Sequence, residues 1–387
     1  MTSRALLGIG ISQLINWGVL YYAFGVLLVP VERALAAPQW VVAGAFSVAL
    51  LISAALAPTM GRYIDRGYGP TMMIAGGFAA AAFLVAWAAA PTLVTSYAMW
   101  AGLGVCMAST LYEPAFGVVG HGVPHMAERL RALALITIFG GLASTAFLPL
   151  TALLEANFGW RATVVVLAGA MTISSIVVWR AVPRPDTALP QATSPHEAAA
   201  PRAAPHGFGI VLAAFGSASL AHAALTTTLV PALAERQLST TTAALLGSSM
   251  GLMQLPGRAL MMHGRLSASP SALLMTSLAL QGLGMALLAA AGSALAIGLG
   301  VAMFAGGAGL ATLVRPYLVQ TVFAMARAGY LNGLLARVMQ LARAGGPIAA
   351  VAIGSSVGYR WLYGALALHF AGLAFAWRQS RRETRYP

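Results

Sequence analysis

Apolar residues run for about twenty positions at a time along most of the chain, and polar residues gather in the short breaks between runs. This is neither the alternation of a half-buried strand nor the single stripe of a surface helix. Segments apolar on every side, about 20 residues long, match a helix crossing ~30 Å of hydrocarbon. The runs predict helices at 5–29, 39–60, 71–90, 93–118, 131–154, 161–181, 208–232, 241–263, 271–291, 294–320, 330–356 and 360–378. The least apolar stretch, PRPDTALPQATSPHEAAAPRAAPHG at 183–207, has the Pro, Ala and polar content of a flexible linker. The first run exceeds the apolar core of a signal peptide and reads as an uncleaved helix.

Composition agrees with a membrane protein. The chain is 59% hydrophobic and 8% charged, with mean hydropathy +0.81. Twelve spans leave little for a soluble domain. The 22 basic residues, all Arg, outnumber nine acids and give a net charge of +13. The even number of spans puts both termini on one side. That side carries fifteen arginines, the opposite side carries Arg33, Arg161, Arg236 and Arg360, and three lie within spans. Both termini are therefore expected in the cytoplasm, and the positive charge reflects topology rather than nucleic-acid binding. The single cysteine, Cys106, excludes an intramolecular disulfide and leaves no Cys-based metal site. The absence of Lys excludes Schiff-base chemistry. No phosphate loop or nucleophile elbow is present, so neither enzyme nor cofactor is expected.

The chain also repeats itself. Val29-Pro30 recurs as Val230-Pro231, an offset of 201, and Gly61-Arg62 recurs as Gly257-Arg258, an offset of 196. GWR at 159–161 is matched by GYR at 358–360, and Glu113-Pro114 by Arg315-Pro316, an offset of 202. The shared offset predicts two parallel six-helix halves, 1–182 and 208–387, joined by a cytoplasmic linker at 183–207.

This six-plus-six plan resembles the major facilitator superfamily, whose members pack two such halves around a central cavity. GRYIDRGYGP at 61–70 is similar to the superfamily signature Gly-x-x-x-Asp-Arg-x-Gly. Gly61, Asp65 and Arg66 match, while the last glycine of the pattern falls at 69, one position late, and the usual basic pair is missing. The resemblance implies that this loop is a cytoplasmic hinge or latch. The Arg and Gly-Pro motifs of drug:proton antiporters are absent from the fourth and fifth spans. GWR and PGR give a faint likeness to the monocarboxylate and oxalate:formate branch.

Eight of the nine acids fall in predicted loops, tails or helix ends, and Glu113 alone lies well inside a span. A charge there costs ~2.5–3.5 kcal/mol, which marks it as a functional candidate. Arg315 lies at equivalent depth in the tenth span. The resemblance implies that spans 1, 4, 7 and 10 line the cavity, so the pair is expected to gate it or to hold an anion and a proton. Pro114 and Pro316 lack the N–H that would reach the carbonyls of Thr110 and Thr312, predicting a bend at both. Arg337 and Arg343 add positive charge on the eleventh span, Arg337 alternatively as an interface anchor. Gln13, Asn16, Trp17 and Tyr21 form a polar and aromatic stripe on the first span, suited to a small solute or to hydrogen bonds between helices. His222 occupies the repeat position of Tyr21.

The expected function is secondary active transport by alternating access, as symporter or antiporter, in the inner membrane of a bacterium. The positive cavity residues favour a small organic anion, driven either by an anion gradient or by a proton, with Glu113 as the proton site. The partners are the substrate, protons and the bilayer, and the chain is expected to be a monomer. An efflux permease for a toxic compound and a non-transporting receptor are the alternatives. The nine residues after the last span and the short linker offer little for an effector domain.

Overall fold

The computed structural model describes residues 1–183, 207–236, 246, 249–262, 269–323 and 328–383. Every regular element among them is helical. The helices are α1 (Ser3–Trp17), α2 (Ala23–Leu35), α3 (Gln39–Asp65), α4 (Gly69–Ala88), α5 (Leu93–Thr110), α6 (Tyr112–Gly122), α7 (Met126–Gly141), α8 (Ala143–Ala181), α9 (Phe208–Ala234), α10 (Leu255–Met262), α11 (Pro270–Ala290), α12 (Ala294–Leu318), α13 (Ala328–Val357) and α14 (Tyr359–Glu383). A π-helical turn, Gly18–Tyr22, joins α1 to α2, and a second, Val319–Phe323, follows α12. Among the described residues, eight helices are long and apolar enough to cross a membrane. The longest, Met126–Ala181, covers 56 residues and is interrupted at Gly159. All but the ends of the linker lies outside the described residues, as does part of the helix expected at 241–263.

Helix starts follow local chemistry. Thr92 and Thr95 form a reciprocal capping box at the start of α5, and Ser269 and Ser293 cap α11 and α12 with their hydroxyls. These caps satisfy N–H groups that would otherwise be orphaned at helix ends.

Contacts divide the chain into two compact units. One takes in 1–199 and 326–337, and the other 200–325 and 338–387. The division falls inside α13. The first unit is built on aromatic rings. Phe24 stacks on Phe46 at 4.9 Å and meets Trp100 edge-on at 4.7 Å, and Trp87 lies between Trp100 and Trp160. The second buries Phe208, Phe215, Phe304, Phe370 and Trp377. Hydrocarbon gives no hydrophobic drive between helices, so close packing of such shapes carries the association.

One landmark of the repeat recurs in three dimensions. Gly159 has φ +75° and Gly358 has φ +96°, a conformation only glycine takes without strain. The arginine two residues on reaches a helix end in both units. Arg161 donates to the carbonyls of Ala88 (2.7 Å) and Ala90 (3.4 Å) at the end of α4. Arg360 reaches the Ala291 carbonyl at 3.5 Å at the end of α11. Arg236 joins it there, donating to Ala291 at 3.1 Å and Leu288 at 2.6 Å. Burial, and then its neighbour Arg360, push the Arg236 guanidinium below its ordinary pKa. A cation at a helix C-terminus offsets the negative end of the dipole.

Candidate functional site

The site in the first unit begins at a break in the 93–122 span. α5 ends at Thr110, Leu111 is extended at φ −78° and ψ −153°, and α6 starts anew at Tyr112. Pro114, in the first turn of α6, cannot offer an N–H to the Thr110 carbonyl. α1 satisfies that carbonyl instead. Gln13 Nε2 donates to it at 2.8 Å and Asn16 Nδ2 at 2.9 Å. Asn16 is held in turn by the Ser174 hydroxyl, which donates to Asn16 Oδ1 at 2.7 Å. The Ser109 and Thr110 hydroxyls both bond back to the Cys106 carbonyl, which favours bending at the end of α5. Gln13 and Asn16 are buried.

Glu113 stands half-buried in the first turn of α6, beside this break. Its chain neighbour Tyr112 packs on Trp17 with ring centroids 4.9 Å apart. Trp17 also meets Tyr21 at 5.4 Å, and Tyr112 stacks on Phe116 at 5.0 Å. Trp17 Nε1 and Gln13 Oε1, a donor and an acceptor one turn apart on α1, are buried without a hydrogen-bond partner among the described residues.

A second feature of this unit joins the end of α3 to the start of α13. Asp65 accepts the backbone N–H groups of Gly329 at 2.5 Å and Tyr330 at 2.8 Å. The carboxylate thus caps the first turn of α13 and faces the positive end of its dipole. Gly61 and Gly329 lie backbone to backbone, so that a Cβ on either would strike the other's carbonyl. Two turns further along α13, Arg337 donates from Nε to the Ala54 carbonyl (3.2 Å) and from Nη2 to the Ala55 carbonyl (2.9 Å). Arg66 is exposed, 5.8 Å from the Tyr63 ring centroid. The tight turn after it is made by Gly67, at φ +88°.

In the second unit, Arg315 is 4% exposed, and its Nη1 approaches the Met339 sulfur at 3.4 Å. The helix continues through Pro316 to Leu318, and only then loosens into a π turn, with Val319 N bonding back to the carbonyls of Arg315 and Pro316. A bend expected at both prolines is thus a full break at Pro114 and a displaced π turn after Pro316. Arg343 Nη1 lies 3.5 Å from Gln340 Oε1. His222 is half-buried, with its ring stacked 6.3 Å from Phe304.

The structure therefore gathers Glu113, Gln13, Asn16, Trp17 and Tyr21 around one break. Gly61, Asp65 and Arg337 form a separate strip along α3 and α13. Arg315, Arg343 and His222 belong to the other unit. The sequence reading missed Tyr112 and Ser174. An aromatic next to an acid in an apolar run, and a serine in another such run, were the local signals for them. Among the described residues no group of His, Cys, Asp and Glu could hold a metal ion.

The family model described as Major Facilitator Superfamily matches residues 6–261. No curated protein matches the chain in sequence. Solved structures share the fold across nearly the whole chain. The human organic anion transporter MFSD10 (TETRAN) aligns with TM-score 0.74 and 17% identity, covering 97% of this chain and 100% of its own. The transporter FucP in its outward conformation aligns at 0.71 and 14% identity, covering 96% and 97%. The proton:xylose symporter XylE bound to 6-bromo-6-deoxy-D-glucose aligns at 0.69 and 13% identity, covering 96% and 94%.

Proposed function

Because the chain belongs to the Major Facilitator Superfamily, whose members are membrane transporters, we propose that it moves a small organic anion across a bacterial inner membrane by alternating access. The observation that carries the anion reading is Arg315, a guanidinium 4% exposed in the last turn of an apolar helix. A buried cation in an apolar helix needs a task, and bidentate recognition of a carboxylate is what guanidinium geometry does best. Arg343 adds positive charge in the same unit. The likeness in fold to a protein named as an organic anion transporter supports the reading without fixing a substrate.

Glu113 carries the proton in this proposal, as the one acid well inside a span. Trp17, Tyr21 and Gln13 would meet the solute. Their rings, and the indole N–H left over on Trp17, suit a carboxylate with an apolar body. His222 is a further candidate contact. Gly61, Asp65 and Arg66 form the latch loop, and Arg337 braces it. The proposal includes twelve spans in two six-helix halves, 1–182 and 208–387, with both termini cytoplasmic and the chain acting as a monomer.

The aromatic run Trp17–Tyr112–Phe116 favours a second reading, an efflux permease for an apolar toxic compound. Flux of radiolabelled lactate, oxalate and benzoate in proteoliposomes under an imposed pH step separates the readings. Anion transport requires flux of at least one probe by the wild type, and Glu113→Gln should abolish its dependence on the pH step. Unchanged pH-driven flux in Glu113→Gln removes the proton role. Flux of lipophilic cations with none of carboxylates favours efflux, and no flux of either class favours a receptor.

A further inference from the structure

We infer that Gln13, Asn16 and Ser174 are positioning residues that stand in for the N–H Pro114 lacks and so hold Glu113 at a helix start of its own. The inference rests on the proposed coupling role of Glu113 for its functional consequence, but not for its physical basis. A proline inside an apolar helix leaves the carbonyl four residues earlier without its partner, and a buried carbonyl requires one. Here Thr110 has two, at 2.8 and 2.9 Å, which fill both lone pairs of the oxygen. The amide orientation of Asn16 is fixed independently, because Ser174 donates to its Oδ1 and leaves Nδ2 facing Thr110.

Proline alone does not make the break. Pro316 occupies the equivalent repeat position, yet α12 runs through it. The difference lies in what the first helix of each half offers. At the offset of 201, the counterparts of Gln13 and Asn16 are Ala214 and Ser217, neither of which has an amide. Ser217 bonds instead to His369 Nε2 at 2.7 Å. Donors from α1 therefore draw the Thr110 carbonyl out of the helical path and stabilise the extended Leu111. α1 and the start of α6 are tied at this point. A solute contacting Trp17 and Tyr21 would act on the same backbone joint that places Glu113.

Variants of the full chain test this by melting temperature and by proteoliposome flux of lactate, oxalate and benzoate. Gln13→Ala/Asn16→Ala should melt several degrees below the wild type and lose flux. Adding Pro114→Ala supplies the missing N–H, so stability should return while flux does not, because the helix is mended and the break lost. Ser174→Ala should give a smaller fall in melting temperature, one that vanishes in the Pro114→Ala background. This milder variant serves if the double substitution does not fold. The inference fails if the alanine pair melts like the wild type, if Pro114→Ala restores no stability, or if it restores flux together with stability. The stability arm needs neither substrate nor proton coupling, so it stands or falls separately from the transport reading.

Discussion

The two prolines at 114 and 316 share a repeat position, a preceding charge and an apolar helix, and the backbone treats them differently. At Pro114 the helix stops, one residue turns extended, and a new helix begins. At Pro316 the helix continues and a π turn follows three residues later. Proline removes the same N–H in both places. What differs is the neighbour: two amides on α1 in one unit, an alanine and a serine at the matching positions of α9 in the other. A repeated motif thus fixes where a helix is weakened, and the side chains packed against it decide how it yields.

The charges at the two sites should be as unlike in effect as the backbones. Arg315→Gln removes a buried cation and is expected to cut kcat/KM for the proposed carboxylate substrate by ~10²-fold or more, with most of the loss in KM. Arg315→Lys should recover part of it, since a point charge replaces a fork. Initial-rate flux at varied substrate concentration checks both. A carboxylate carried equally well by wild type and Arg315→Gln would break the assignment of the anion to this site.

The Asp65 contact offers the next effect in size, again without a counterpart at the repeat position. Asp65 caps α13, whereas the position at the offset of 196 is Met261, which has no carboxylate. Asp65→Ala should cost about 0.5–2 kcal/mol, as loss of a helix cap does. Asp65→Asn should cost less, because an amide oxygen still accepts. Melting temperature and amide exchange at residues 328–332 report it. Exchange there unchanged in Asp65→Ala would mean that the strip of Gly61, Gly329 and Arg337 holds α13 without the cap.

Much of this was legible in the chain. Long apolar runs placed the helices, because a hydrocarbon environment permits little else. Glu113 and Arg315 stood out because charge in such runs is costly. The proline rule named Thr110 as the carbonyl in need, and Gln13 and Asn16 were visible on one face of the first helix. What could not be read was that these needs meet, since the donors lie 97 and 94 residues from the acceptor and no local pattern joins them. The Asp65 cap joins residues 264 apart in the chain, and no local pattern points from one to the other. The different fates of the two prolines were illegible for the same reason: both carry the same local sequence chemistry.

The smallest expected effect is the most discriminating. Pro316→Ala restores an N–H within a helix that is already continuous, and a single hydrogen bond inside a membrane protein is worth about 0.6 kcal/mol. Its melting temperature should stay level or rise slightly, and flux should persist. Pro114→Ala in the wild-type background presents the opposite case. The Thr110 carbonyl already has two donors, so a third finds no lone pair, and mending the helix must displace Gln13 or Asn16 and strand a buried amide. Stability should therefore not improve, and flux should fall. If the two alanine variants behave alike in both measurements, the amides on α1 are bystanders and the break at Leu111 has another cause. If only Pro114→Ala loses flux, the asymmetry between the halves is a working part of the transporter rather than an accident of divergence.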